Sequence, residues 1–343
     1  MIPVWVELSG RNPGLGRAEA IAAAEALGGA GNSAAEGSTR PDRVLVQLPS
    51  RREVNALADR LALARRCLVE VGDPDGSIET WFAEQGSRGG SASFRELDSP
   101  DSEHTDPRLP RWVGAYKRGG GRIDLRQPER RFWIASSGGA APEALEEVGS
   151  VNRTGFRARR TPQYPFQRPV TLDPRLARAA VNLARVRPGD RVVDPFVGTG
   201  SLLIEAALVG ARVTGIDRDA DMVRGALQNF AHVGLVPESM TVGDSAAVGK
   251  AIEGAYWDAL VTDPPYGRAS GTGREPVSDL LARTLPVWAS HIRPNGRIVI
   301  IAAGGEESIP LPWTRVMTVS DRVHRSLTRE FRVYEKTPAP TTP

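Results

Sequence analysis

Hydrophobic and polar positions change period along this chain, and the changes predict its elements. Val4 to Leu8 is a short apolar run of strand type, and Arg43 to Leu48 alternates as a second strand. Between them Arg17 to Leu27 is alanine-rich and helical, stopped by Gly28-Gly29. Ser50 caps a helix over Arg51 to Leu61, with Glu53 as its first-turn acid. Arg66 to Val71 reads as a strand. From Gly72 to Asp106, Gly, Ser, Asp and Pro interrupt the pattern, with a helix over Ile78 to Glu84 and a strand over Ala92 to Leu97 embedded there. Arg131 to Ala135 is a further strand. Short strands and helices mixed in this way predict an α+β unit.

Pro162, Pro165, Pro169 and Pro174 then follow closely and mark a boundary. Beyond Asp173-Pro174, helices and strands alternate. Helices are expected over Arg175 to Arg185, Ser201 to Leu208, Asp219 to Phe230 and Val277 to Ile292. Strands are expected over Arg191 to Asp194, Arg212 to Ile216, Met240 to Val242, Ala259 to Thr262 and Arg297 to Ala302. That alternation predicts a parallel sheet with helices on both faces.

The 343 residues suit roughly two domains. Hydrophobic residues make up 40% and charged residues 25%, a globular rather than a disordered balance. No run of about 18 apolar residues predicts a membrane span, and Met1 to Leu8 lacks the form of a signal peptide. One cysteine, Cys67, excludes an internal disulfide and reads as a core hydrophobe in a cytoplasmic protein. The four scattered histidines exclude a histidine-based metal motif. Net charge is only +3, but it is unevenly spread. Arg108 to Arg131 carries eight cations against Asp124 and Glu129, and Arg153, Arg157, Arg159, Arg160 and Arg168 lie in a stretch with no acid. Phe156, Tyr164 and Phe166 interleave with the latter, as in surfaces that contact phosphates and unstacked bases. A solvated linker would show the same run.

Four strand ends carry the candidate chemistry. Asp194-Pro195-Phe196-Val197-Gly198-Thr199-Gly200 joins a buried strand to a helix through glycines that let a ligand approach the backbone. Leu203 fills the third glycine position of the dinucleotide fingerprint, which argues against NAD. Asp217 ends the next strand, where an acid can accept ribose hydroxyls. Gly243-Asp244 follows the third strand, where Asp244 can meet an adenine amino group. Asp263-Pro264-Pro265-Tyr266 ends the fourth. Its prolines fix the backbone and remove donors, leaving carbonyl acceptors beside Asp263 and the ring of Tyr266. Two acceptors and a stacking face suit an exocyclic amino group on a planar base.

These residues resemble class I S-adenosylmethionine-dependent amino-methyltransferases, whose (D/N)-P-P-(Y/F) motif Asp263-Pro264-Pro265-Tyr266 matches. The wider pattern resembles the THUMP-containing tRNA guanine-N2 methyltransferases of archaeal and eukaryotic type. It matches at Leu172 to Arg178, Asp194 to Gly200, Thr262 to Arg268 and His324 to Arg329, and more weakly at Ile123 to Glu129. Val197 stands where those enzymes often have cysteine. The resemblance implies an α/β Rossmann-like class I methyltransferase with a mostly parallel seven-stranded sheet, preceded by an α+β THUMP-containing domain. The expected division is a THUMP-like RNA-binding domain over 1–155, an Arg/Pro-rich linker over 156–172, the methyltransferase domain over 173–336, and a disordered tail over 337–343. It further implies S-adenosyl-L-methionine as cofactor, lined by Asp194, Phe196, Gly198 and Gly200, with Asp217 on the ribose and Asp244 on the adenine. Asp263, Pro264 and Tyr266 would hold the guanine, and Arg153, Arg157, Arg159, Arg160 and Arg168 the tRNA.

The expected reaction is N2-methylation of a tRNA guanosine, position 10 in the D-arm, by a monomer or weak dimer that takes tRNA as partner, with a small activator subunit left open. The alternatives are another amino group (a different tRNA guanosine, or adenine N6 in DNA), a non-catalytic RNA-binding protein, and a nicotinamide oxidoreductase. Intact Gly198, Gly200, Asp217 and Asp263 weigh against decay, and Leu203 weighs against the oxidoreductase.

Overall fold

A computed structural model describes residues 1–10, 12–31, 42–72, 77–97, 106–135, 143–169, 171–249, 256–265, 276–302, 313–324 and 327–336. The first half contains β1 (Ile2–Leu8), α1 (Pro13–Ala26), β2 (Ala30–Gly31), β3 (Arg43–Leu48), α2 (Arg51–Arg60) and β4 (Ala64–Glu70). There follow α3 (Ile78–Ser87), β5 (Ser91–Glu96), α4 (Leu109–Arg118), β6 (Arg122–Ile123), β7 (Arg130–Ala135) and β8 (Glu143–Ser150). The eight strands form one sheet in the order β2-β3-β1-β4-β8-β7-β5-β6. Local chemistry starts the helices as the sequence predicts. Ser50 Oγ accepts the Arg52 N–H at the start of α2, and its hydroxyl donates to Glu53.

Helix α4 is not evident from the sequence, because its cations conceal its apolar stripe. Trp112, Ala115 and Tyr116 are buried at helical spacing while Arg111, Lys117 and Arg118 stay exposed. Those rings join Phe82, Phe94 and Phe132 in an aromatic core beneath β5 and β7. Helices α3 and α4 meet so closely that a Cβ on Gly86 would stand 2.1 Å from the Tyr116 carbonyl oxygen.

The second half contains α5 (Arg153–Ala158), α6 (Pro174–Leu183), β9 (Arg191–Asp194), α7 (Ser201–Leu208), β10 (Arg212–Asp217) and α8 (Ala220–His232). It continues with β11 (Ser239–Val242), β12 (Trp257–Thr262), α9 (Val277–Ser290), β13 (Ile292–Ala302), β14 (Trp313–His324) and β15 (Leu327–Lys336). Its sheet runs β11-β10-β9-β12-β13-β15-β14. The first five in that order are parallel, and β15 is antiparallel to both β13 and β14. This is the parallel sheet expected from the alternating pattern, and its seven strands match the class I methyltransferase fold that the resemblance implies. The β14–β15 pair does not stand out in the sequence as strands. It buries Phe331, Val333 and Tyr334 but spaces them among charged residues. The tail expected over 337–343 lies outside the described residues.

The two sheets are locked together by a buried polar network. Glu19 on α1 accepts the Ala62 and Leu63 N–H groups at 2.9 and 2.8 Å and the Asn182 amide at 2.9 Å. Asn182 Oδ1 accepts Arg60 Nε at 2.7 Å, and Arg60 also donates to the Val186 carbonyl. One hydrophobic cluster runs from Val4 through Leu57 and Ala180 to Val333. Segment 156–172 takes part in it, because Phe156, Tyr164 and Leu172 are buried. The prolines there lead a packed connection rather than a free tether.

Candidate active site

Strand β9 lies between β10 and β12, so the chain leaves it toward one side and later returns on the other. Such a reversal opens a crevice at the carboxyl ends of the strands, where ligands of these sheets bind. Three of the expected acids lie there. Asp194 ends β9, Asp217 ends β10, and Asp263 follows β12 directly. Asp194 is 1% exposed. Its Oδ1 accepts the Thr262 hydroxyl at 2.7 Å and the Phe196 N–H at 3.0 Å. Thr262 joins the site only in the folded chain. It ties the ends of β9 and β12 together, and no pattern in one strand reveals a bond across two.

Burial pushes the Asp194 carboxyl up to about 7, against the pull of those two hydrogen bonds, and the negative charges of Asp263 and Asp217 push the same way. Burial also raises Asp217. One Asp217 oxygen accepts the Gly198 N–H at 2.9 Å and the other accepts the Asp219 N–H at 3.0 Å. Gly198 and Gly200 both have left-handed backbones, with φ of 51° and 85°. A Cβ on Gly200 would also press the Phe230 ring at 3.3 Å. The loop therefore holds its shape only with glycine at that position.

The β12 ladder ends at Thr262, paired with Ile300. Beyond it Asp263 and Pro265 are half-buried and Pro264 is buried. Tyr266 lies outside the described residues. Asp244 is bound by Arg283 on α9, through two contacts of 2.9 and 3.1 Å, a partner that nothing in the sequence marks. That pair and the Ala246 N–H hold the Asp244 carboxyl below its ordinary value. Phe196 sets its ring edge-on to Trp288 at 5.9 Å.

The five arginines expected on RNA are not equivalent. Arg153 and Arg157 are exposed. Arg160 is half-exposed beside Asp173, 3.2 Å away, and Arg168 lies over the Phe166 ring. Arg159 is a correction. It turns inward and bonds Glu205, itself 1% exposed, at 2.7 and 3.3 Å. Glu205 also pairs with Arg178 at 2.8 Å. A buried carboxylate needs such partners, so Arg159 is held in the fold and is not presented to a ligand.

Residues 162–311 match the family UPF0020, described as an RMKL-like methyltransferase domain. A tRNA (guanine(10)-N2)-dimethyltransferase of Pyrococcus abyssi is 29% identical over 96% of this chain and 99% of that one. A protein of the same name from Methanothermobacter thermautotrophicus is 38% identical, over 54% of this chain and 55% of its own. A "Probable tRNA (guanine(10)-N2)-dimethyltransferase" of Methanothermococcus thermolithotrophicus is 33% identical over 48% of this chain and 99% of its own. The chain belongs to the family of tRNA (guanine(10)-N2)-methyltransferases. It is thus an S-adenosylmethionine-dependent enzyme, and its crevice fits that cofactor. The Asp194 and Asp217 carboxylates hold the glycine loop through the Phe196 and Gly198 N–H groups, and burial raises both. A ligand carrying an ammonium and a sulfonium would favour the charged forms of Asp194 and Asp217. Among the described residues no helix is long and apolar enough to cross a membrane.

Proposed function

We propose that this methyltransferase modifies the exocyclic N2 amino group of guanosine 10 in tRNA. The observation that carries the reading is the acid-Pro-Pro end of β12, bound through Thr262 to the acid that closes the cofactor strand. The names of the relatives support the substrate. Bound S-adenosylmethionine supplies an electrophilic methyl group. Asp194, Phe196, Gly198 and Gly200 line its methionine part, Asp217 accepts the ribose hydroxyls and Asp244 the adenine amino group. The guanine amino group is a poor nucleophile, because its lone pair is delocalised into the ring. Asp263 and the Pro264 carbonyl accept its two N–H groups and favour a more tetrahedral nitrogen. The freed lone pair then points along one direction, and such positioning is worth on the order of 7–11 kcal/mol at best. Tyr266 stacks on the base, which must leave its helix at a cost of about a few kcal/mol. The first half, with its exposed Arg111, Lys117, Arg118, Arg122, Arg126 and Arg131, positions the RNA through phosphate contacts while the pocket reads the base. We place the reaction in the cytoplasm.

Mass spectrometry of nucleosides from a tRNA transcript treated with the protein and S-adenosylmethionine tests this directly. N2-methylated guanosine at position 10 is expected. Methyladenosine, or a methylguanosine elsewhere, would replace the assignment.

Cofactor affinity should depend on pH through Asp194. The carboxyl is protonated below about 7 in the folded protein and binds a cation best when ionised. Affinity for S-adenosylhomocysteine, which keeps the ammonium, should rise by at most about tenfold per pH unit up to 7 and then level. Asp194→Asn should flatten the profile. The unliganded protein should lose stability as pH rises from about 4 to 7, since the folded state then holds a proton that the unfolded chain releases. A titration by calorimetry showing no such slope in the wild type would remove Asp194 from the cation site.

Arg283 occupies the carboxylate that adenine would use. The pair is exposed, so Arg283→Ala should alter stability by only about 0–1 kcal/mol. It should tighten S-adenosylhomocysteine several-fold by freeing Asp244. Weaker binding would show instead that Arg283 itself holds the cofactor.

A further inference from the structure

A second cavity, of about 270 Å³, lies between the two halves and outside the strand-end crevice. Ser9, Arg65, Arg153, Phe156, Arg157, Arg160 and Arg175 line it. They come from four places in the chain. Ser9 follows β1, Arg65 is on β4, Arg153 to Arg160 surround α5, and Arg175 begins α6. Three of these arginines stand in one stretch of the sequence, while Arg65 and Arg175 join them only in the fold.

Among the described residues, five guanidinium groups here face the carboxylates of Glu7 and Asp173, and Glu19 also acts on Arg175. Glu7 sits 3.1 Å from Arg65 but is also held by Arg66 at 2.7 Å, and Asp173 sits 3.2 Å from Arg160. Arg175 is fixed rather than floating. Its Nε donates to the Ala62 carbonyl at 2.8 Å and its Nη2 to Ser9 Oγ at 3.0 Å. Burial holds its guanidinium below its ordinary value against the pull of Asp173 and Glu19, and Arg153 and Arg160 push the same way as burial. The cavity is therefore rigid on one wall, short of negative charge, and open on the wall formed by exposed Arg153 and Arg157. An adjoining groove of about 400 Å³ shares Arg160 and is lined by Thr161, Pro162, Thr171, Asp173 and Pro174. A phosphate pocket that runs on into a groove with hydroxyl and carboxylate acceptors matches a sugar-phosphate strand better than a lone ion.

We infer that this cavity holds a backbone phosphate of the RNA substrate, with Arg65, Arg153, Arg157, Arg160 and Arg175 as its ligands. The inference rests on the tRNA reading above and assigns that contact a place. Guanidinium forks suit phosphate oxygens in paired contacts, and several converging on one site fix the strand as well as attract it. A phosphate gripped between the halves sets the distance from a fixed backbone point to the base that enters the strand-end pocket.

The test uses the full chain, a tRNA transcript and two double variants at the exposed wall, Arg153→Ala/Arg157→Ala and Arg153→Lys/Arg157→Lys. Both should keep the wild-type melting temperature and the wild-type stabilisation by S-adenosylhomocysteine, which establishes that they fold. The alanine variant should bind tRNA roughly tenfold more weakly near 0.1 M salt. Its salt dependence should be shallower by about 0.7–0.9 for each phosphate it no longer neutralises. Its KM for tRNA should rise more than its kcat falls, and the lysine variant should recover part of the affinity. Wild-type tRNA affinity and salt slope in the alanine variant would overturn the pocket while leaving the enzyme's function standing. So would protection of the wild type by millimolar inorganic phosphate, lost in the variant with tRNA binding unchanged, which would make it a free-anion site. A wild-type protein that neither binds nor methylates tRNA would instead overturn the function and the pocket together.

Discussion

Asp263→Ala is expected to abolish methyl transfer while leaving S-adenosylhomocysteine binding nearly unchanged. The carboxylate follows the last paired residue of β12 and lies close enough to Asp194 to raise its pKa. In the proposed role it addresses the base and not the cofactor. Loss of one fixed electrostatic partner at a reacting centre typically costs roughly 10²–10³ in rate. Here the substitution also removes an acceptor for the proton that the nitrogen must shed, so turnover should fall by at least that much. Removing one of the three clustered acids should bring Asp194 down from about 7 and make its ionised form easier to reach. Cofactor affinity at pH 6 should therefore hold or rise slightly. Single-turnover methylation of a tRNA transcript, with calorimetry on the same sample, separates the two effects. Turnover near wild type would take the catalytic role away from Asp263, and a large drop in cofactor affinity would move it to the cofactor.

Glu19→Ala is expected to cost the protein roughly 3–5 kcal/mol, the range for breaking a buried charge network. Glu19 is completely buried, and three donors from two other segments converge on it. Alanine leaves the Ala62 and Leu63 N–H groups and the Asn182 amide without their acceptor, at about 1–3 kcal/mol for each unmet group. Asn182 in turn positions Arg60, so the damage spreads along the seam between the halves. Glu19→Gln keeps one acceptor and should cost markedly less. Chemical denaturation gives the comparison. A midpoint for the alanine variant within about 1 kcal/mol of wild type would mean that the seam is held by the shared apolar core alone. The same network bears on truncation. A chain begun near Pro169 would expose Asn182, Arg178 and the packed face of α6, so failure of tRNA methylation in it would not separate RNA binding from folding.

The parallel half is largely legible in the sequence, because buried parallel strands and their helices each announce themselves locally. Strand β9 and helix α7 lie where the apolar runs of Arg191 to Asp194 and Ser201 to Leu208 put them. Capping follows the same rule at Asp173 and Asp219, whose side chains accept the Arg175 and Asp221 N–H groups. The candidate crevice is legible for a related reason: acids and glycines at strand ends stay at strand ends whatever the sheet does. Several of the elements that escape a reading of the sequence have apolar positions diluted by charge. Helix α4 keeps three buried residues among arginines and lysine, and β15 with the edge strand β14 mixes charged and apolar residues.

The order of elements, the glycine loop and the acid-Pro-Pro strand end follow from the chain alone, because each depends on neighbours within a few residues. Which charges are free to meet a ligand is settled by tertiary packing. Arg153, Arg157 and Arg159 look alike in a row, yet Arg159 turns to the buried carboxylate of Glu205 and the other two remain exposed. Arg65 and Arg175 lie far from that stretch or outside it in the chain and become part of a five-arginine wall once β4 and α6 meet. Asp194 is an ordinary acid in sequence, and only its burial beside Asp217 and Asp263 raises it to about 7. Charge acts through distance and dielectric, and both are set by contacts between residues far apart in the chain.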